Sequence, residues 1–159
     1  MTTAYRTWND PEARDLVLPH ARTEGGLLPA LHALQAEYGF IPNPAIALLA
    51  DLFNISRADV YGVVTFYHDF RTDGPPGRYV LKLCRAEACQ AVGCNAFHTE
   101  VQKQLGVGWH ETTKDGRFTL EPVFCLGLCA SGPSGMIGNE PMARLTAEKL
   151  SALLGALEP

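Results

Sequence analysis

All five cysteines of this chain fall between residues 84 and 129, spaced Cys84-x4-Cys89-x4-Cys94, then thirty intervening residues, then Cys125-x3-Cys129. An odd count crowded into under a third of the chain is not a disulfide framework. The stretch MTTAYRTWNDPEARD lacks the basic and apolar regions of an export signal, and no run approaches the roughly eighteen apolar residues of a membrane helix. The expectation is a cytoplasmic chain with no direct membrane contact. In that reducing compartment, clustered thiols point to metal ligation or redox work. Thirteen Lys and Arg against seventeen Asp and Glu give a net charge of -4 without a basic run, so nucleic acid is not an expected partner.

The apolar pattern changes midway. Up to about Arg71 the spacing predicts four short helices. Asp10 followed by Pro11 reads as an N-cap and first-turn proline. Leu27, Leu28, Leu31, Leu34 and Tyr38 mark a second helix that stops at Gly39, and a third starts at Asn43-Pro44. A fourth starts at Ser56, where SRAD fits a capping box, although the β-branched run VYGVVTFY also suits a strand. Four short helices cover a core poorly, so part of their apolar surface is expected to be a subunit interface.

The breaker-rich RTDGPPGRY leads into alternating RYVLKLC, a strand ending on Cys84. Phe97, Val101 and Leu105 stand four apart and predict a helix over about 90–105. RFTLEPVFC alternates again toward Cys125, with Pro122 implying an edge strand or bulge. SGPSGMIGNEPMARL suits a hairpin, and TAEKLSALLGAL a closing helix capped by Thr146. The chain is therefore expected to be α/β, with a helical part over 1–73 and a smaller α/β domain over 74–159 that holds every cysteine.

Both cysteine groups begin where an expected strand ends, and neighbouring strand ends present their loops at one sheet edge. Two two-cysteine loops supply the four thiolates of a 2Fe-2S centre, two for each iron. A structural zinc site of four cysteines also tolerates these gaps, though neither pair is C-x-x-C, and buried thiols can simply pack as small hydrophobes. All three chemistries stay open on spacing alone. Cys89 and Cys94 fall near the start of one expected helix and about 140° apart around it, so they are not expected to aim at one metal. Cys94, deeper in the helical pattern, is read as packing. Arg85 offsets negative charge at such a site, faces a partner, or is merely solvated. His68, beside Asp69, is read as a surface polar contact rather than a proton-transfer group.

The segments GLLPALHALQAEYGFIPNPAIALLADLFNISRADVYGVVTFYHDF, LKLCRAEAC and CLGLCASGP resemble the 24-kilodalton subunit family of NADH dehydrogenase complexes, and within it the gamma subunit of soluble NAD-dependent formate dehydrogenases. The resemblance implies helices followed by a thioredoxin-like domain with one 2Fe-2S cluster. It puts the ligands on Cys84, Cys89, Cys125 and Cys129 and asks nothing of Cys94. It also implies electron exchange with a flavin-bearing, NAD-binding subunit, with formate oxidised at a molybdenum or tungsten cofactor on another chain. The equivalent subunit of an NADH-quinone oxidoreductase or NAD-reducing hydrogenase, or a zinc-stabilised interaction module, is the alternative.

Overall fold

The computed structural model describes residues 5–157, which form seven α-helices and a four-stranded sheet. The chain divides into two compact units, one ending at Pro75 and the other beginning at Pro76.

The first unit is helical. Helix α1 (Asp10–Ala21) starts one residue earlier than expected, because Asn9 is the N-cap and its side chain accepts from the Glu12 N–H at 3.2 Å. Asp10 is not free to cap: its carboxylate accepts from the Trp8 indole at 2.9 Å. Helix α2 (Leu27–Tyr38) stops at Gly39, whose φ of 78° is left-handed and where a Cβ would lie 2.7 Å from the Tyr5 ring. Only glycine suits both conditions. Helices α3 (Asn43–Phe53) and α4 (Arg57–Phe66) follow. The strand alternative for VYGVVTFY fails. The Ser56 hydroxyl accepts from the Asp59 N–H at 3.1 Å while the Asp59 carboxylate accepts from the Ser56 N–H at 3.1 Å, a capping box that starts a helix. Helical spacing then puts Val60 and Val64 on one buried face, in a core with Val17, Leu31, Leu34, Tyr38 and Leu49. Tyr61 and Phe66 of α4 remain exposed.

The second unit is the expected α/β arrangement. Strands β1 (Tyr79–Cys84) and β2 (Phe118–Val123) pair in parallel, with Cys84 opposite Val123. Strands β3 (Gly135–Ile137) and β4 (Glu140–Met142) form the expected hairpin, and the sheet order is β2-β1-β3-β4. Pro122 lies in β2, an edge strand, where its missing N–H removes no central ladder bond. The single helix expected over 90–105 is two, α5 (Glu87–Ala91) and α6 (Cys94–Leu105), separated at Gly93 with φ 88°. A glycine there lets the chain turn left-handed between them at no steric cost. Helix α7 (Ala147–Ala156) is capped by Thr146, which accepts from the Lys149 N–H at 3.2 Å. Leu81, Leu83 and Leu120 of the sheet share a buried core with Phe97 and Val101 of α6 and Leu150 and Leu154 of α7. Among the described residues no helix is long and apolar enough to cross a membrane.

Candidate functional site

A parallel β1–β2 pair requires a crossover, here α5 and α6, and it leaves both strands ending at the same sheet edge. Cys84 is the last residue of β1, and Cys125 stands two residues beyond β2. The two cysteine loops therefore leave side by side. Cys89 sits on α5 and is buried with Cys84, whereas Cys125 and Cys129 are exposed. Cys84 and Cys89 pack together in one buried cluster. The sulfurs of Cys125 and Cys129 are 3.5 Å apart.

Backbone N–H groups converge on this sulfur. Cys125 adopts φ 94°, a left-handed conformation that costs a non-glycine residue on the order of 1–2 kcal/mol. The N–H groups of Ala86 and Cys125 act on the Cys84 thiol and favour its charged form. The Gly127 N–H donates to the Cys125 sulfur at 3.3 Å. The buried Ser134 hydroxyl stands 3.5 Å from the Cys89 sulfur. Gly132 is packed so closely that a Cβ would come within 3.3 Å of the Cys89 sulfur.

These contacts divide the thiols. Burial opposes ionisation of Cys84, but the N–H groups of Ala86 and Cys125, with the Cys89 thiol and the Ser134 hydroxyl, outweigh it and hold its pKa below the ordinary value. Cys129 is raised, first by its hydrogen bond to Cys125 and next by that neighbour's charge, with smaller repulsion from Cys89 and Cys84. The two pairs thus sense one another's charge.

Cys94 corrects one expectation. It is the first residue of α6 rather than part of the Cys89 helix, so an angle around one common helix does not separate the two. It is fully buried and packs in one cluster with Cys84 and Cys89. Like Cys129 it is held above the ordinary thiol value, but by a different leading cause. Burial, then repulsion from Cys89 and Cys84, raises the Cys94 thiol.

Among the described residues, no group of three or more His, Cys, Asp or Glu side chains stands where it could hold a metal ion. The thiols instead form two pairs, and a 2Fe-2S centre takes two thiolates on each iron. The donor set fits that group. Ser134 and Gly132, close to the sulfurs here, lie about 45 residues from Cys89 in sequence. His68 is exposed in the turn after α4, in the first unit.

Comparison with known proteins agrees with this geometry. The family described as thioredoxin-like 2Fe-2S ferredoxin matches residues 14–158. One of the NADH-quinone oxidoreductase subunits of Escherichia coli (strain K12) is 40% identical over 126 residues, covering 79% of this chain and 75% of that protein. Its counterpart among the NADH-quinone oxidoreductase subunits of Rhizobium meliloti (strain 1021) is 39% identical over 128 residues, covering 80% of this chain and 76% of that one. The solved NAD+-reducing NiFe hydrogenase in its H2-reduced state superposes with a TM-score of 0.70 and 28% identity, over 87% of this chain and 23% of that chain. This chain thus spans under a quarter of the hydrogenase chain's length.

Proposed function

The chain belongs to the thioredoxin-like 2Fe-2S ferredoxin family, and on that premise we propose that it is an electron-transfer subunit serving a flavin-bearing, NAD-binding partner in a larger oxidoreductase complex. The observation that carries this reading is the pairing of Cys84 with Cys89 and of Cys125 with Cys129 at the adjacent ends of two parallel strands. These four are the proposed ligands, and Cys94 remains a protonated neighbour. When bound, a 2Fe-2S cluster takes up and releases one electron at a time.

The chain's own residues hold and tune the site. The N–H groups of Ala86, Cys125 and Gly127 direct positive dipole ends at the sulfurs, and such bonds help set the reduction potential. Cys84 and Cys89 are buried while Cys125 and Cys129 are exposed, so electron exchange with the partner runs through the Cys125–Cys129 side. The two compact units support reading the chain as two domains, a helical one over 1–73 and a ligand-bearing one over 74–159. Five free cysteines support a reducing, cytoplasmic setting.

The finer reading is the gamma subunit of a soluble NAD-dependent formate dehydrogenase, whose molybdenum or tungsten cofactor sits on another chain. It rests on the segments LKLCRAEAC and CLGLCASGP. The names of the relatives favour equally an NADH-quinone oxidoreductase or an NAD-reducing hydrogenase as the setting.

Purification of the native complex tests the proposal. The expected result is a flavin-bearing subunit together with this chain, and a 2Fe-2S electron paramagnetic resonance signal that develops on adding NADH. Molybdenum or tungsten in the same complex selects the formate reading. Isolation of this chain with stoichiometric zinc and no sulfide would overturn the whole assignment.

A further inference from the structure

We propose that Arg85, held in place by Trp109, is a potential-tuning residue whose fixed positive charge favours the reduced form of the thiolate site. The inference rests on the ligand reading above and adds a residue that no ligand pattern requires.

Arg85 follows Cys84 directly, and its backbone is fixed on both sides. Its N–H donates to the Val123 carbonyl at 2.8 Å, and its own carbonyl accepts from Gln90 Nε2 at 2.7 Å. The guanidinium carbon lies 5.0 Å from the centre of the Trp109 ring, inside the roughly 6 Å reach of a cation–π contact. Trp109 is anchored in turn: it packs on the core of the second unit and meets the His98 ring edge-on, with centroids 5.3 Å apart at 86°. The planar guanidinium is thereby stacked rather than left to sweep through solvent.

The charge is carried by the residue that directly follows the proposed ligand Cys84, and no carboxylate among the described residues cancels it. Arg85 contributes to the low basicity of His98, whose ring lies against Trp109. Among the described residues no carboxylate forms an ion pair with Arg85. His98, only 4% exposed and lowered to about 4 first by burial and then by Arg85, is neutral at pH 7 and adds no competing charge. Each electron taken up adds negative charge to a site that already carries thiolates, and a nearby fixed cation stabilises that state over the oxidised one.

The test is a midpoint-potential titration of the purified holoprotein, with iron, acid-labile sulfide and visible absorption measured on every sample. In Arg85→Gln the reduced-to-oxidised ratio at fixed poise is expected to fall about tenfold, a ~59 mV shift for a one-electron couple. Arg85→Lys keeps the charge and should recover most of the loss. Trp109→Leu leaves the arginine intact but unstacked and should give an intermediate fall, with Trp109→Phe closer to the parent. All variants should keep full iron and sulfide. A parent protein without iron and sulfide overturns the ligand reading itself. A loaded parent whose Arg85→Gln variant is equally loaded and unshifted overturns this inference alone.

Discussion

Gly132→Ala probes whether the loop after Cys129 lies against the sulfur of Cys89, a proposed ligand. The backbone at Gly132 has φ -66° and ψ 164°, an extended conformation that alanine adopts freely before a proline. Any effect therefore comes from space. The new Cβ would stand 3.0 Å from a Val92 methyl and 3.3 Å from the Cys89 sulfur. Val92 is exposed and its methyl can rotate aside cheaply. Cys89 has less room: it is buried, packs with Cys84 and Cys94, and stands 3.5 Å from the Ser134 hydroxyl. Overpacking typically costs about 1–3 kcal/mol, and the stiffer unfolded chain returns about 0.4–1 kcal/mol, leaving a net loss of about 1 kcal/mol. For a chain of this size the melting temperature should fall by about 2–4 °C. Circular dichroism melts read that change. Electron paramagnetic resonance should show a displaced spectrum from a cluster retained at full iron and sulfide. A variant that melts higher than the parent and has an unaltered spectrum would refute the packing argument, since only the unfolded-chain effect would remain.

Two further outcomes are expected, one in each unit. His98 stays neutral down to about 4, while in the unfolded chain it charges near pH 6.5, so between those values the unfolded form binds the extra proton. Stability is therefore full above about pH 6.5 and declines from there to about pH 4, by at most about 3 kcal/mol, and denaturant midpoints for His98→Phe should show a flatter decline. Ser56→Ala removes the hydroxyl half of the α4 capping box and should cost about 1 kcal/mol, seen as faster amide exchange in α4 with no change in the visible spectrum.

Much of this fold was legible because the signals were local. The Ser56–Asp59 box, the Gly39 stop and the alternation of Leu81 and Leu83 depend only on residues a few positions apart. Pro122 correctly signalled an edge, since a residue without an N–H cannot serve a central strand. Local signals also misled. Asn9 and Asp10 are both good caps, and the indole of Trp8 decided between them. Gly93 interrupts the stretch that the spacing of Phe97, Val101 and Leu105 assigned to one helix, so one helix was expected where two exist, and the angular argument about Cys94 lost its basis. The seating of the thiols was least legible. The positive φ at Cys125, Ser134 against the Cys89 sulfur and Trp109 beneath Arg85 all arise from chain segments distant in sequence, which no periodicity encodes. The sequence spacing paired the cysteine loops at one sheet edge, but it did not supply the hydrogen bonds that lower Cys84 or the burial and like-charge repulsion that raise Cys94.

The central claim, that Cys84, Cys89, Cys125 and Cys129 hold one 2Fe-2S cluster, is tested most directly by iron and acid-labile sulfide analysis of the anaerobically purified chain and its five single Cys→Ser variants. About two irons and two sulfides per chain are expected in the parent and in Cys94→Ser. Serine at any of the other four positions should remove the cluster or change its spectrum. A parent with zinc and no sulfide, or a series in which Cys94 is essential and Cys89 dispensable, would contradict the claim.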